Sequence, residues 1–145
     1  MIAISIKNTQ EQLEPDFQLL KSAAKAVLSG EGVTKAKVTF ALMDDAAIHL
    51  LNKRHLNHDE PTDVLTFPYT KHTSAKLEGD VAIGAGVAVV NAADRGHDVQ
   101  AELCLYVIHG SLHLCGYDDT TPKATALMRS KEAHYLALLG LPAIA

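Results

Sequence analysis

Cysteine is scarce in this sequence, with two among 145 residues, Cys104 and Cys115. Both fall in one stretch with helical patterning, where a rise of about 1.5 Å per residue sets them roughly 16 Å apart, far outside disulfide reach. A disulfide-built scaffold is excluded, and both thiols are expected to be reduced. Long apolar runs are missing too. No stretch approaches the roughly 20 residues of a membrane helix, and no basic segment followed by an apolar core opens the chain. The expectation is a protein with no membrane association, in the cytoplasm. Excess positive charge is the third absence. With 13 Lys and Arg against 17 Asp and Glu, the formal net charge is −4. Nothing in that balance attracts nucleic acid globally, so any polynucleotide contact must come from a local basic patch, a metal or a partner. Repeats, low-complexity tracts and linkers are likewise lacking.

What is present is globular: 48% apolar and 21% charged residues over a length that suits one domain, residues 1–145. Ile2, Ile4 and Ile6 alternate with smaller or polar residues and predict a strand. After Pro15, apolar residues from Phe17 to Leu28 recur at helical spacing and stop at Gly30. Val38, Phe40 and Leu42 mark a second strand, and Asp44 or Asp45 caps a short helix through Leu51. The polar run 52–60, with His55 and His58, reads as a surface loop closed by Pro61. Val64 to Phe67 is a short strand, 69–78 a polar excursion, and 79–83 a fourth strand. Helices follow over 87–94, 99–114 and 122–139. Strands and helices mix without strict alternation, which predicts an α+β fold: a small mixed sheet of about four strands with helices on one face.

The chemistry gathers in His109-Gly-Ser-Leu-His-Leu-Cys-Gly-Tyr-Asp-Asp119. On a helix, His109 and His113 leave the same face one turn apart. Gly116 suits a left-handed helix stop, and Asp119 is the first carboxylate able to return toward the two rings. Two imidazoles and a carboxylate make an N/O ligand set that a catalytic zinc accepts while keeping one position open. The spacing His-x3-His-x5-Asp also occurs in metzincin proteases, but those place a Glu directly after the first His, and here Gly110 stands there. Cys115 lies off the His face and reads as packing. His134 reads as a surface residue of the last helix and stands second in line should Asp119 not ligate. Lys21 and Lys25 read as the solvated side of the first helix.

Three blocks together resemble the YbeY family of bacterial rRNA maturation factors: His109 to Asp118, Asp59-x-Pro61-Thr-Asp-Val-Leu-Thr-Phe-Pro68 following Leu51-Asn52, and Gly79-Asp80-Val-Ala-Ile83. The resemblance covers roughly residues 37–140. It implies a single-strand-specific endoribonuclease acting in 16S rRNA 3′-end processing and ribosome quality control, normally with one zinc ion, on single-stranded rRNA and beside the small ribosomal subunit or its proteins. Two positions depart from the family pattern. Asp119 stands where a third His is usual, which lowers the charge of the site by one and makes harder divalent ions more welcome. Leu56 stands where many members carry an Arg implicated in activity, with Arg54 two residues away.

The metal ligands expected here are His109, His113 and Asp119. Asp63 and Asp80 are expected as the carboxylates that orient the imidazoles, and Arg54 and Asp63 are the weak candidates for direct participation. Two alternatives stay open: a metal-stabilised ribosome assembly factor without enzymatic activity, which Leu56 and the acidic charge favour, and a metalloprotease, which Gly110 disfavours.

Overall fold

The computed structural model describes residues 1–56, 62–71 and 76–145. In chain order the elements are β1 (Ile2–Asn8), α1 (Phe17–Gly30), β2 (Lys35–Met43), α2 (Asp45–Leu56), β3 (Val64–Pro68), β4 (Lys76–Gly84), α3 (Ala85–Arg95), α4 (Val99–Leu114) and α5 (Pro122–Leu138). Four strands form one sheet in the order β1-β2-β4-β3. The β1–β2 and β2–β4 pairs are parallel and β3–β4 is antiparallel, so the sheet is mixed and the fold is α+β.

Alternation along each strand assigns the two faces. Ile4, Val38, Phe40, Leu77, Val81 and Ile83 enter one large core with Leu20, Val27 and Leu28 of α1, Leu103, Val107, Ile108 and Leu112 of α4, and Met128 and Leu136 of α5. Helix α4 is apolar almost all round because it lies in the middle of this layer, against α1, α3, α5, β3 and β4. Among the described residues the opposite face of the sheet carries a small cluster at one end, where Ile48 of α2 meets Leu65 and Ala82, with Met43, Leu51 and Phe67 beside them. Helices thus cover one face, as the sequence predicts, and α2 adds a partial cover to the other.

Gly110 sets how closely α4 approaches the sheet. A Cβ there would stand 2.7 Å from Cγ1 of Val81 and 3.3 Å from Cγ1 of Val64, so the helix backbone rests on strand side chains with no room for a larger residue.

Two sequence expectations change. Residues 52–56 are not loop: α2 continues to Leu56, because Asn52 is buried on its inner side and Lys53, Arg54 and His55 occupy a last turn whose carbonyls favour positive charge. Strand β4 begins at Lys76 instead of Gly79, since Lys76 to Glu78 pair in register with Lys35 to Lys37 of β2. Among the described residues no helix is long and apolar enough to cross a membrane.

Candidate metal centre

The centre is built where α4 ends. Cys115 closes the helix, its N–H reaching the carbonyls of Ser111 and Leu112, and Gly116 turns the chain back at φ +101°. Residues 117–120 then run across the helix end to Thr121, whose Oγ1 accepts from the N–H of Ala124 and starts α5. Thr125 Oγ1 donates to the backbone carbonyl of Asp119 at 3.0 Å, fixing that residue in the turn. The carboxylate is thereby returned to the face of α4 from which His109 and His113 project.

Three donors converge. Nε2 of His109 and Nε2 of His113 stand 2.9 Å apart. Asp119 Oδ2 lies 3.6 Å from His109 Nε2, and its Oδ1 lies 3.9 Å from His113 Nε2. Donors about one tetrahedral zinc are separated by about 3.3 Å, so one small cation can touch all three after shifts of a few tenths of an ångström.

The other ring nitrogens decide what the converging ones offer. His109 Nδ1 is 2.8 Å from Oε2 of Glu132, a fully buried carboxylate on α5. His113 Nδ1 is 2.9 Å from the carbonyl oxygen of Tyr117. A carbonyl or an ionised carboxylate only accepts, so each Nδ1 carries the hydrogen and each neutral ring turns a lone pair toward the other. Two lone pairs at 2.9 Å repel unless a proton or a cation lies between them. Burial, and then the neighbouring His109, hold His113 below the ordinary imidazole range, against the opposing pull of Asp119 and the Tyr117 carbonyl. The protonated ring is disfavoured, and the residues present fit a divalent cation.

A polar cleft of about 140 Å³ opens beside the triad, with Asp63, Arg95, Tyr106 and Arg129 in its walls. Arg129 donates to Glu132 Oε1 at 2.6 Å while half its side chain stays exposed, so one buried carboxylate holds both an imidazole and a guanidinium. Behind the turn, the Tyr117 hydroxyl donates to Glu31 Oε1 at 2.5 Å, and Tyr135 and Lys131 also donate to Glu31. This ties the end of α1 to the loop whose carbonyl orients His113.

The structure brings His109, His113 and Asp119 together and distributes the other expected residues elsewhere. Glu132, not Asp63 or Asp80, is the carboxylate behind an imidazole. Asp63 lines the cleft, but its Oδ1 accepts from Val64 N at 2.7 Å and from Thr62 Oγ1, which caps the start of β3. Asp80 points to the opposite face of the sheet, where it accepts from the Tyr69 hydroxyl. Arg54 is exposed on α2, the helix of that opposite face, and the guanidiniums in the cleft wall are those of Arg95 and Arg129. His55 meets Phe67 edge to face at 5.5 Å on the same far side. His58 lies outside the described residues. His134 is exposed on α5 against Tyr135. Burial pushes the Cys104 thiol up to about 12 and the Cys115 thiol up to about 11, so neither offers a thiolate near neutral pH.

Glu132 had a sequence signal. Met128, Glu132, Tyr135 and Leu136 share one stripe of α5 and all are buried, so an acidic residue stands in a core-facing position, where a charge needs a partner. The Tyr117 carbonyl had none, because a backbone acceptor has no residue signature.

A family profile described as Endoribonuclease YbeY matches residues 4–140. A protein of that name from Rhodopirellula baltica is 35% identical over 144 residues, covering 90% of this chain and 74% of the relative. Another, from Carboxydothermus hydrogenoformans, is 37% identical over 139 residues, covering 94% of this chain and 96% of the relative. The solution structure of a Thermotoga maritima protein superposes with a TM-score of 0.67 at 28% identity, over 94% of this chain and 88% of that one. The profile runs from within β1 to just beyond α5 and includes His109, His113 and Asp119: the chain belongs to the YbeY family.

Proposed function

We propose that this chain is a metal-dependent endoribonuclease that cuts single-stranded RNA, working in 16S rRNA 3′-end maturation and ribosome quality control beside the small ribosomal subunit. The observation that carries the reading is the convergence of two imidazole lone pairs and the Asp119 carboxylate in a polar cleft. His109, His113 and Asp119 would hold the ion, and their N/O character suits zinc. A divalent cation held there would supply Lewis acidity toward a phosphodiester oxygen and would lower the pKa of water beside it. The chain's own part is orientation and charge. Glu132 and the Tyr117 carbonyl keep both Nδ1 hydrogens in place, so neither ring rotates away. Arg95 and Arg129 bring guanidiniums to a cleft wall that also carries Asp63, Glu102, Asp119 and Glu132, and would be the groups to meet a phosphodiester there.

A protease reading has no support at Gly110. That position holds the general base of metzincins, and here glycine offers no carboxylate, with a Cβ meeting Val81 at 2.7 Å. The assembly-factor reading shares the metal site and differs in chemistry alone, with Leu56 in place of the usual Arg as its specific support. Incubation of zinc-loaded protein with a single-stranded 16S 3′ fragment, with and without chelator, separates the two. Chelator-sensitive cleavage that is lost in H109A/H113A supports the nuclease. Intact RNA across pH 6–8 leaves the assembly role.

A further inference from the structure

The cleft beside the triad is small and polar, about 140 Å³. Sites that enclose a whole small molecule occupy roughly 300–1,000 Å³, so this cleft suits a phosphodiester without its bases. Affinity for a polynucleotide therefore has to come from another surface.

The open face of the sheet has what that surface needs. Because Ile2, Ile4 and Ile6 of β1 and Ala36, Val38 and Phe40 of β2 enter the main core, Lys7, Lys35 and Lys37 project the other way. Lys76 heads β4 on the same side, in register with Lys35. Among the described strand residues, four lysines thus share this face with two carboxylates, Glu78 and Asp80, in a chain whose net charge is −4. Glu78 is 3.7 Å from Lys76, and Asp80 accepts from Tyr69. Between the lysines and α2 lies a groove of about 460 Å³, walled by His55, Phe67, Tyr69 and the Asp80 carboxylate that Tyr69 engages, and reached by Lys7. Tyr69 is 66% exposed, so a ring face is open to solvent. Exposed aromatic rings beside a cationic track are how proteins hold single strands without reading sequence.

We infer that this open sheet face is a second RNA-binding site, separate from the metal centre. A single-stranded polynucleotide stacks a base against Tyr69 and Phe67 in the groove and lays its phosphates along Lys7 and Lys37. Strand β3 is the sheet edge between the two sites: Leu65 and Phe67 belong to the groove side, while Val64 packs beneath α4. A strand held in the groove reaches the cleft by passing over that edge. The inference rests on the endoribonuclease reading for its occupant, though binding can be read without cleavage.

The test is fluorescence anisotropy of a labelled 16-nucleotide 2′-O-methyl RNA, checked on a gel to remain intact, against the zinc-loaded full chain. K7E/K37E is compared with K21E/K25E, which makes the same charge change on α1. The sheet-face pair is expected to weaken binding at least tenfold and to lower the slope of log K against log salt by about 1.4, two phosphate contacts at about 0.7 each. K21E/K25E is expected to change binding less than threefold, Tyr69→Ala to weaken it about fivefold or more, and K7R/K37R to bind like the parent. Equal losses in the two charge-reversed pairs, or parent-like binding by K7E/K37E, overturns the inference. Cleavage is scored separately on 4- and 16-nucleotide RNAs, with the sheet-face pair expected to lose activity on the longer alone. If the parent cuts neither, the nuclease reading fails, and the anisotropy series still decides the sheet face.

Discussion

Oε2 of Glu132 stands 2.8 Å from Nδ1 of His109, joining the last helix to a ring proposed as a metal ligand across 23 residues of sequence. The carboxylate is fully buried, and its second oxygen takes Arg129. The buried negative charge is thus compensated from both sides, and the imidazole is held in the tautomer that leaves Nε2 free.

E132Q is expected to weaken zinc binding by about 10–100-fold, because the amide keeps an acceptor oxygen and loses the charge that raises ring basicity. Competition against a chelating dye measures it. Parent-like affinity would mean that Glu132 is a structural partner of Arg129 alone.

Glu31 makes the stability of the centre's outer support depend on pH. Burial raises its carboxyl, but the hydrogens donated by Tyr117, Tyr135 and Lys131 outweigh this and hold it below the ordinary value of 4.5. A carboxyl lowered on folding stabilises the native state fully above its unfolded value, and that contribution is lost as pH falls through the lower folded value. Urea midpoints should therefore drop more steeply below about pH 4.5 for the parent than for E31Q. Parallel profiles would contradict the assignment.

Gly110→Ala tests the approach of α4 to the sheet. A Cβ at 2.7 Å from Val81 overpacks the core at a typical cost of about 1–3 kcal/mol, against about 1 kcal/mol gained from helix propensity. A net loss of up to about 2 kcal/mol is expected in urea unfolding, partly recovered by adding Val81→Ala. A more stable G110A would show that the contact is loose.

Sequence periodicity revealed most of the fold because burial is one-sided. Ile2, Ile4 and Ile6 of β1 and the apolar stripe of α1 pack where alternation and helical spacing put them. It misjudged 52–56, where polarity suggested a loop, because Asn52 is polar and yet buried. The triad was legible since all three side chains lie within one helix end and its turn. Their supports were not, because Glu132 arrives through tertiary packing and the Tyr117 acceptor is backbone. Asp80 is turned away once the facing of its neighbours is known: with Gly79 and Val81 facing α4, strand alternation puts Asp80 on the other side of the sheet.

The central claim is that His109, His113 and Asp119 hold one divalent cation, and the most direct measurement is zinc per chain after reconstitution and gel filtration. The account predicts one ion for the parent, none for H109A/H113A, and for Asp119→Ala an occupancy that falls away on dialysis against a weak chelator. Full occupancy in the double-histidine variant would contradict it.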